Sequence, residues 1–259
     1  MKALITGASS GLGWEMASVL SEKGYDIIAV ARREDRLIEL KNKLKTNVEI
    51  MCLDVTKSEN IEKIAEKLAE TDVFINNAGF GVFGDLCSSD LDAELSMIDT
   101  NVKAVHILTK LAAKKFKERN SGYIMNVASI AAFFPGPLFS AYYASKAYVF
   151  RLTQSLCEEL RRAKSNVKVS VLCPGPVKTE FEKVSKVSFG KGDEVGRSLI
   201  IADKKKVADY AVNQMLKGKH IIIPTAPMKI AVFFRRILSE KTLSKLLYIL
   251  QSKKFVQDK

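Results

Sequence analysis

An α/β protein built on one doubly wound parallel sheet is the architecture this sequence predicts. Short apolar runs alternate with helical periodicities from residue 2 to residue 223. The runs are apolar at successive positions rather than at every second one, as strands covered on both faces must be. The 259 residues are 47% hydrophobic and 27% charged, enough for one large core and too apolar for a disordered chain. No charge-free stretch approaches the ~20 apolar residues of a membrane span.

The elements follow in order. Residues 2–6 read as a strand, and 12–23 as a helix with Leu12, Met16, Val19 and Leu20 on one face. Tyr25–Ala31 is rich in β-branched residues and suits a buried strand, while 34–45 carries Leu37, Leu40 and Leu44 at helical spacing. A strand at 48–53 precedes a helix near 58–69, marked by Ile61, Ile64 and Leu68. A strand at 73–76 leads into a long helical stretch ending near Arg119. Strands at 123–128, 167–173 and 221–223 then alternate with helices at 141–163 and 204–217. Right-handed crossovers wind such a series into a sheet with helices on both faces and ligands at the carboxyl ends of its strands. The whole of 1–259 reads as one domain, a core of 1–224 followed by a tail of 225–259.

Thr6-Gly7-Ala8-Ser9-Ser10-Gly11-Leu12-Gly13 lies between the first strand and the first helix. Glycines there permit a tight turn and close approach to a phosphate, and the helix N-terminus that follows can hold a pyrophosphate. The spacing is Gly-x3-Gly-x-Gly, without the Gly-Lys-Ser/Thr of a P-loop. The second strand ends in Arg32-Arg33, where dinucleotide sites usually carry the acid that binds a ribose 2′-OH. Two guanidiniums suit a 2′-phosphate through bidentate bonds, which favours NADP over NAD. Asp54, in Leu53-Asp54-Val55 after the third strand, would face the adenine; a helix N-cap is its plainer role.

Three further segments fall at strand ends: Asn76-Asn77-Ala78-Gly79, Ser129 and Pro174-Gly175. On the predicted 141–163 helix, Tyr142 and Lys146 are four residues apart and share a face. An ammonium beside a phenol lowers the phenol pKa from ~10 toward working pH, so Tyr142 could serve as a general acid or base. Ser129 could donate a hydrogen bond to a substrate oxygen. Tyr143, three residues from Lys146, is the local rival to Tyr142.

Together these marks resemble the short-chain dehydrogenase/reductase family: TGASSGLG (6–13), LDV (53–55), NNAG (76–79), Asn101, Ser129, YxxxK (142–146) and PGPVKT (174–179) stand in the family's order and spacing. The resemblance covers about 1–224 and implies a Rossmann fold. It selects Tyr142 as the group that exchanges a proton with the substrate oxygen, with Ser129 polarising the carbonyl. It implies that Lys146 holds the nicotinamide ribose and that Asn101 holds a water in a relay through Lys146. Val177 and Thr179 would anchor the carboxamide and a nearby phosphate, and Asn77, Ala78 and Gly79 would line the adenosine side. Gly7, Ser9, Ser10, Gly11, Leu12, Gly13, Arg32, Arg33, Asp54, Val55, Pro174 and Gly175 complete the expected cofactor set, for NADP(H). The implied reaction interconverts a ketone or aldehyde and an alcohol without a metal. A non-catalytic NADP-binding regulator or scaffold on the same fold is the alternative, and the intact Ser129, Tyr142 and Lys146 argue against it.

The implied substrate cleft takes Gly81, Val82 and Phe83 from one loop and Ala131, Phe133, Phe134, Pro135 and Phe139 from another. An apolar, aromatic wall of this kind suits a hydrophobic carbonyl or alcohol, with Phe133 and Phe134 as substrate contacts beside Ser129 and Tyr142. Residues 180–203, with Gly190, Gly192 and Gly196, read as a lid. Cys52, Cys87, Cys157 and Cys173 form no CxxC pair and read as small buried apolar residues of a reducing compartment. Met1-Lys2 runs straight into a strand, which predicts no signal peptide and a cytoplasmic protein.

The formal net charge is +12, yet residues 217–259 hold ten Lys+Arg against two Asp+Glu, so the tail carries eight of the twelve. That placement, with no recognisable nucleic-acid module, argues against a nucleic-acid partner. Ile230, Phe233, Phe234, Ile237 and Leu238 form one apolar stripe and Leu243, Leu246, Leu247 and Leu250 a second, with a break near Ser239 and basic opposite faces. The stripes would pack on the catalytic core; a dimer contact and reversible attachment to an anionic membrane are the other two occupants. Members of the family are commonly dimers or tetramers, and so long a tail after the last strand favours a dimer.

Overall fold

The computed structural model describes residues 1–181 and 202–252. Seven strands form one sheet: β1 (Lys2–Thr6), β2 (Asp26–Ala31), β3 (Val48–Cys52), β4 (Val73–Asn76), β5 (Tyr123–Val127), β6 (Lys168–Leu172) and β7 (Ile221–Ile222). All pair in parallel, in the order β3-β2-β1-β4-β5-β6-β7. The inner strands are buried on both faces because helices cover both, which is why their sequences show no alternation.

One layer holds α1 (Gly11–Glu22), α2 (Glu34–Lys43) and a helix at Lys204–Leu216; the other holds α3 (Ser58–Lys67), α5 (Val105–Glu118) and α6 (Ser140–Arg162). Trp14, Met16, Leu20, Ile5 and Ala211 sit in the first core, and Leu4, Phe74, Leu108, Phe116 and Ile124 in the second. The alternate residues of β1 thus go to opposite cores. The Lys204–Leu216 helix is α7. Its N-terminus is capped by Asp203, which accepts from the Lys206 N–H at 3.0 Å.

The single helical stretch expected before Arg119 is divided. After α4 (Leu91–Ile98) the chain widens into a π-helical turn over Asp99–Ala104 before α5 begins. Buried Asn101 lies in that turn, and its amide leaves the helix to bond Phe80 and Ser145.

The tail forms α8 (Ala226–Phe234) and α9 (Glu240–Ser252), broken near Ser239 as the sequence implied. Its docking differs from expectation. Ile230, Phe233, Phe234, Ile237 and Leu238 are 43–71% exposed rather than packed on the core, and α8 stops before Ile237. Contact runs instead through Val232, through Met228 beneath Gly175, and through Arg235, whose guanidinium donates to the Phe133 carbonyl. In α9 the inward stripe is Leu243, Leu247 and Gln251, while Leu246 and Leu250 face outward. Among the described residues no helix is long and apolar enough to cross a membrane.

The cysteines also depart from expectation: Cys173 is buried, Cys157 half-buried, and Cys52 and Cys87 exposed, all four unpaired. The expected lid lies almost wholly at 182–201, outside the described residues.

Candidate active site

The winding of the sheet reverses between β1 and β4, and a crevice opens at their carboxyl ends. Thr6 and Asn77 close its floor. Thr6 Oγ1 accepts the Asn77 and Ala78 N–H groups at 2.9 and 3.0 Å, and Asn77 Nδ2 donates back to the Thr6 and Gly7 carbonyls at 3.0 and 3.3 Å. The glycine turn is drawn so close that a Cβ on Gly7 would meet Asn77 Nδ2 at 2.8 Å, and one on Gly13 would meet the Gly7 carbonyl oxygen at 2.3 Å. Gly7 also has φ +66°, in the left-handed region.

The turn delivers the N-terminus of α1 to the crevice. Ser10 at the N-cap makes no side-chain capping bond, and the first turn has no acidic residue. Its N–H groups and positive dipole end are left for an anion.

A cleft of about 530 Å³ runs across this point. Gly7, Ser9, Ser10, Gly11, Leu12, Asn77, Ala78 and Gly79 line its middle. Arg32, Arg33, Asp54 and Val55 line one end, and Ser129, Tyr142, Lys146, Pro174, Gly175, Val177 and Thr179 the other. Gly13 and Asn101 stand behind the wall. Arg33 is half-exposed, pairs with Glu180 at 2.8 Å and donates to Ser9 Oγ at 3.3 Å. Asp54 spends Oδ1 on the Thr56 N–H and hydroxyl at 2.9 and 2.8 Å. Burial works against its charge, but those bonds and nearby Arg32 hold its carboxyl below the usual range.

At the other end, Ser129 follows β5, and Tyr142 and Lys146 project from the first turns of α6. Ser129 Oγ accepts the Ala131 N–H at 3.1 Å and is also hydrogen-bonded to the Tyr142 phenol. Lys146 Nζ donates to the Val127 carbonyl at 3.0 Å and stands 5.8 Å from the Tyr142 ring centroid. Asn101 spends both amide protons, one on the Phe80 carbonyl at 2.8 Å and one on Ser145 Oγ at 3.1 Å, while Oδ1 accepts the Phe80 N–H. A Cβ on Gly79 would stand 2.8 Å from Asn101 Oδ1 and 3.2 Å from Lys146 Nζ, so only glycine lets the loop pass between them.

Burial dominates the protonation equilibria here. It drives the Tyr142 phenol well above its ordinary value; a hydrogen bond with Ser129 draws it back, and Tyr143 adds to the rise. The lowering expected from Lys146 is not among these influences. Burial instead pushes the Lys146 ammonium down to about 8, with Cys173 acting the other way.

Two expected substrate contacts lie elsewhere. After Ser129 the chain makes a 3-10 turn over Ile130–Phe133, which carries Phe133 against Phe150 with ring centroids 4.6 Å apart. Phe134 joins the same cluster. The wall beside Tyr142 is made instead by Phe80, Phe83, Phe139, Tyr143 and Phe181, with Gln251 arriving from α9. Gln251 had one sequence signal: it occupies an inward position of a Leu243-Leu247 stripe where a further apolar residue would be expected. Among the described residues no group of three or more His, Cys, Asp or Glu side chains could hold a metal ion.

A dinucleotide fits this cleft: a cradle that any Cβ would fill, an uncapped helix N-terminus and paired arginines at one end, and a buried phenol and ammonium at the other. The comparisons agree. A family model for short chain dehydrogenase matches residues 1–187. An uncharacterized oxidoreductase from Staphylococcus saprophyticus is 32% identical over 227 residues, 85% of this chain and 92% of its own. A short-chain dehydrogenase from Sphingobium yanoikuyae, solved in complex with NADPH, aligns with a TM-score of 0.79 at 25% identity, covering 100% of this chain and 97% of that one. A short chain dehydrogenase/reductase from Burkholderia phymatum, solved in complex with NAD, aligns at 0.81 over 91% of this chain and 92% of its own; at 24% identity that is a likeness of fold alone.

The buried Lys146 makes stability depend on pH. Its folded value of about 8 lies below the ordinary 10.5, so the unfolded chain binds more protons between these values and stability rises with pH across that window. Lys146→Met is therefore expected to unfold at higher urea than the wild type at pH 7, by roughly 2–3 kcal/mol, with the gain shrinking as pH climbs toward ~10.5. Urea midpoints measured across this range check it; a gain that does not vary with pH would contradict the buried charge.

Proposed function

The chain belongs to the short-chain dehydrogenase family, and within it we propose an NADP(H)-dependent oxidoreductase that interconverts a ketone or aldehyde and an alcohol on a hydrophobic substrate. The observation that carries this reading is the convergence of Ser129, Tyr142 and Lys146 in one cleft with the glycine cradle, Arg32 and Arg33. A bound nicotinamide dinucleotide supplies or takes up the hydride. The chain's own residues do the rest.

Tyr142 exchanges the proton with the substrate oxygen. Its phenol stays protonated at neutral pH because burial disfavours the phenolate, which suits it to donate during reduction. Ser129, anchored by the Ala131 N–H and hydrogen-bonded to Tyr142, stands where its hydroxyl can donate to the same oxygen. Lys146 fixes one N–H on Val127 and has two left for ribose hydroxyls and for the charge that develops on Tyr142. Asn101 acts as a positioning residue, holding the Phe80 backbone and Ser145, the neighbour of Lys146. Val177, Thr179 and Pro174-Gly175 line the nicotinamide end, and Asn77, Ala78, Asp54 and Val55 the adenosine side. Arg32 and Arg33 at the rim support a 2′-phosphate, for which Glu180 would have to yield Arg33.

The four unpaired cysteines support a cytoplasmic protein. Exposed Leu95, Ile98 and Tyr148 on α4 and α6 support a homodimer, and the exposed α8 stripe beside Arg236 and Lys241 supports weak contact with an anionic membrane.

Tyr142→Phe is expected to cut turnover of a panel of hydrophobic ketones by about 10²–10⁴-fold while leaving NADPH binding intact. The reduced nicotinamide's absorbance follows the first and calorimetry the second. Retained turnover would refute the proton role, and NADPH binding without any wild-type turnover would point to the non-catalytic regulator. Arg33→Ala is expected to raise KM for NADPH about 10- to 100-fold and leave NADH nearly unchanged; equal effects would undo the 2′-phosphate assignment. Sedimentation with and without anionic vesicles should show a dimer, plus vesicle binding that Phe233→Ser abolishes. A monomer, or vesicle-free protein in both samples, would sink the corresponding part.

A further inference from the structure

The substrate end of the cleft holds a polar pair that the proton chemistry does not use. Gln251 is 2% exposed, on a helix whose neighbouring Tyr248, Ile249 and Leu250 are about half exposed. Its Nε2 donates to the Tyr143 hydroxyl at 2.9 Å. Its Oε1 is buried without a hydrogen-bond partner, and Gln251 is one of the residues that line the cleft. A buried amide oxygen left bare is costly, and a leucine would have continued the inward stripe without that cost.

Tyr143 is fixed from several sides. A Cβ on Gly136 would lie 2.1 Å from Tyr143 Cγ, so the ring rests directly on the backbone there. Phe139 and Tyr142 flank it, with ring centroids 6.0 and 6.2 Å away. Because its oxygen accepts from Gln251, its own proton is free to point into the cleft. Burial raises this phenol to about 12, so the proton is present throughout the neutral range.

One acceptor and one donor thus stand side by side, a residue away from Tyr142 and among Phe80, Phe83, Phe139 and Phe181. A carboxylate would face the bare Oε1, and an ammonium would lose its water to an aromatic wall. A neutral hydroxyl, which donates and accepts at once, satisfies both groups.

We propose that Gln251 and Tyr143 form a specificity site for a distal neutral hydroxyl, so that the preferred substrate is a hydroxy-ketone, or the corresponding diol, with an apolar body between its two oxygens. The substrate class rests on the carbonyl–alcohol chemistry proposed above; the hydroxyl site does not depend on it.

The test separates the two. Matched ketones with and without a distal hydroxyl, benzylacetone and its para-hydroxy derivative with aryl and alicyclic analogues, are assayed for binding by calorimetry in the presence of NADP and, separately, for turnover with NADPH. Wild-type protein should bind hydroxylated members at least about tenfold more tightly than their deoxy partners. Gln251→Leu should abolish that preference by weakening the hydroxylated members alone, with its thermal midpoint unchanged or raised. Equal losses for both members of each pair, together with a lowered midpoint, would show that Gln251 merely fastens the tail, and would overturn the proposal. So would a wild type with no preference for any hydroxylated member. A hydroxyl preference in binding without turnover of any ketone would refute the oxidoreductase reading while leaving the site standing.

Discussion

Everything in this site hangs on the reciprocal clamp between Thr6 and Asn77. Two parallel strands whose helices leave in opposite directions would part at their carboxyl ends. Here the end of β1 and the start of the loop after β4 exchange four hydrogen bonds through one hydroxyl and one amide. That exchange sets the distance between the glycine turn and the Asn76-Gly79 loop. It leaves no room for a Cβ on Gly7 or Gly13 and aims α1 at the crevice. Further along, Gly79 threads between Asn101 and Lys146, so the cradle and the chemical end share one short loop. The clamp is half-buried, with Thr6 fully enclosed, and polar groups in such a place stabilise best when fully satisfied.

Burial of Lys146 and Tyr142 sets the electrical character of the chemical end. An ammonium there destabilises the fold at neutral pH, and a phenol there resists ionisation. In the reaction proposed above both penalties would help: the phenol would keep the proton that reduction needs, and the desolvated ammonium would interact strongly with charge developing on its neighbour. Stability is given up where charge has to appear.

Much of this was legible in the sequence, because strands buried on both faces and motifs at their ends follow from local rules. The glycine turn and the strand order's consequences need only spacing and periodicity, whereas spacing offers Tyr142 and Tyr143 alike beside Lys146 and the family resemblance selects Tyr142. What failed depended on orientation. The family's cleft takes the segment after the fifth strand, which suggests Phe133 and Phe134, but a 3-10 turn carries Phe133 against Phe150 and Phe134 into the same cluster. The π-helical turn at Asn101 accompanies side-chain bonds to the Phe80 loop and to Ser145 on α6, which periodicity cannot register. The α9 stripe was read one step off, since Leu246 and Leu250 look as apolar as Leu243 and only docking decides which faces in. Gln251 shared that fate, its meaning visible only once its neighbours across space were known.

The walls of the cleft are drawn from both extremes of the described chain, Gly7 near its start and Gln251 near its end. During synthesis the amino-terminal strands emerge first, and the phosphate cradle needs only β1, α1 and β4 to close. The polar corner formed by Gln251 waits for the last helix. The growing chain therefore acquires a place for a dinucleotide well before it acquires a finished place for a substrate, and a nascent polypeptide could be held by the former while the latter is still unmade.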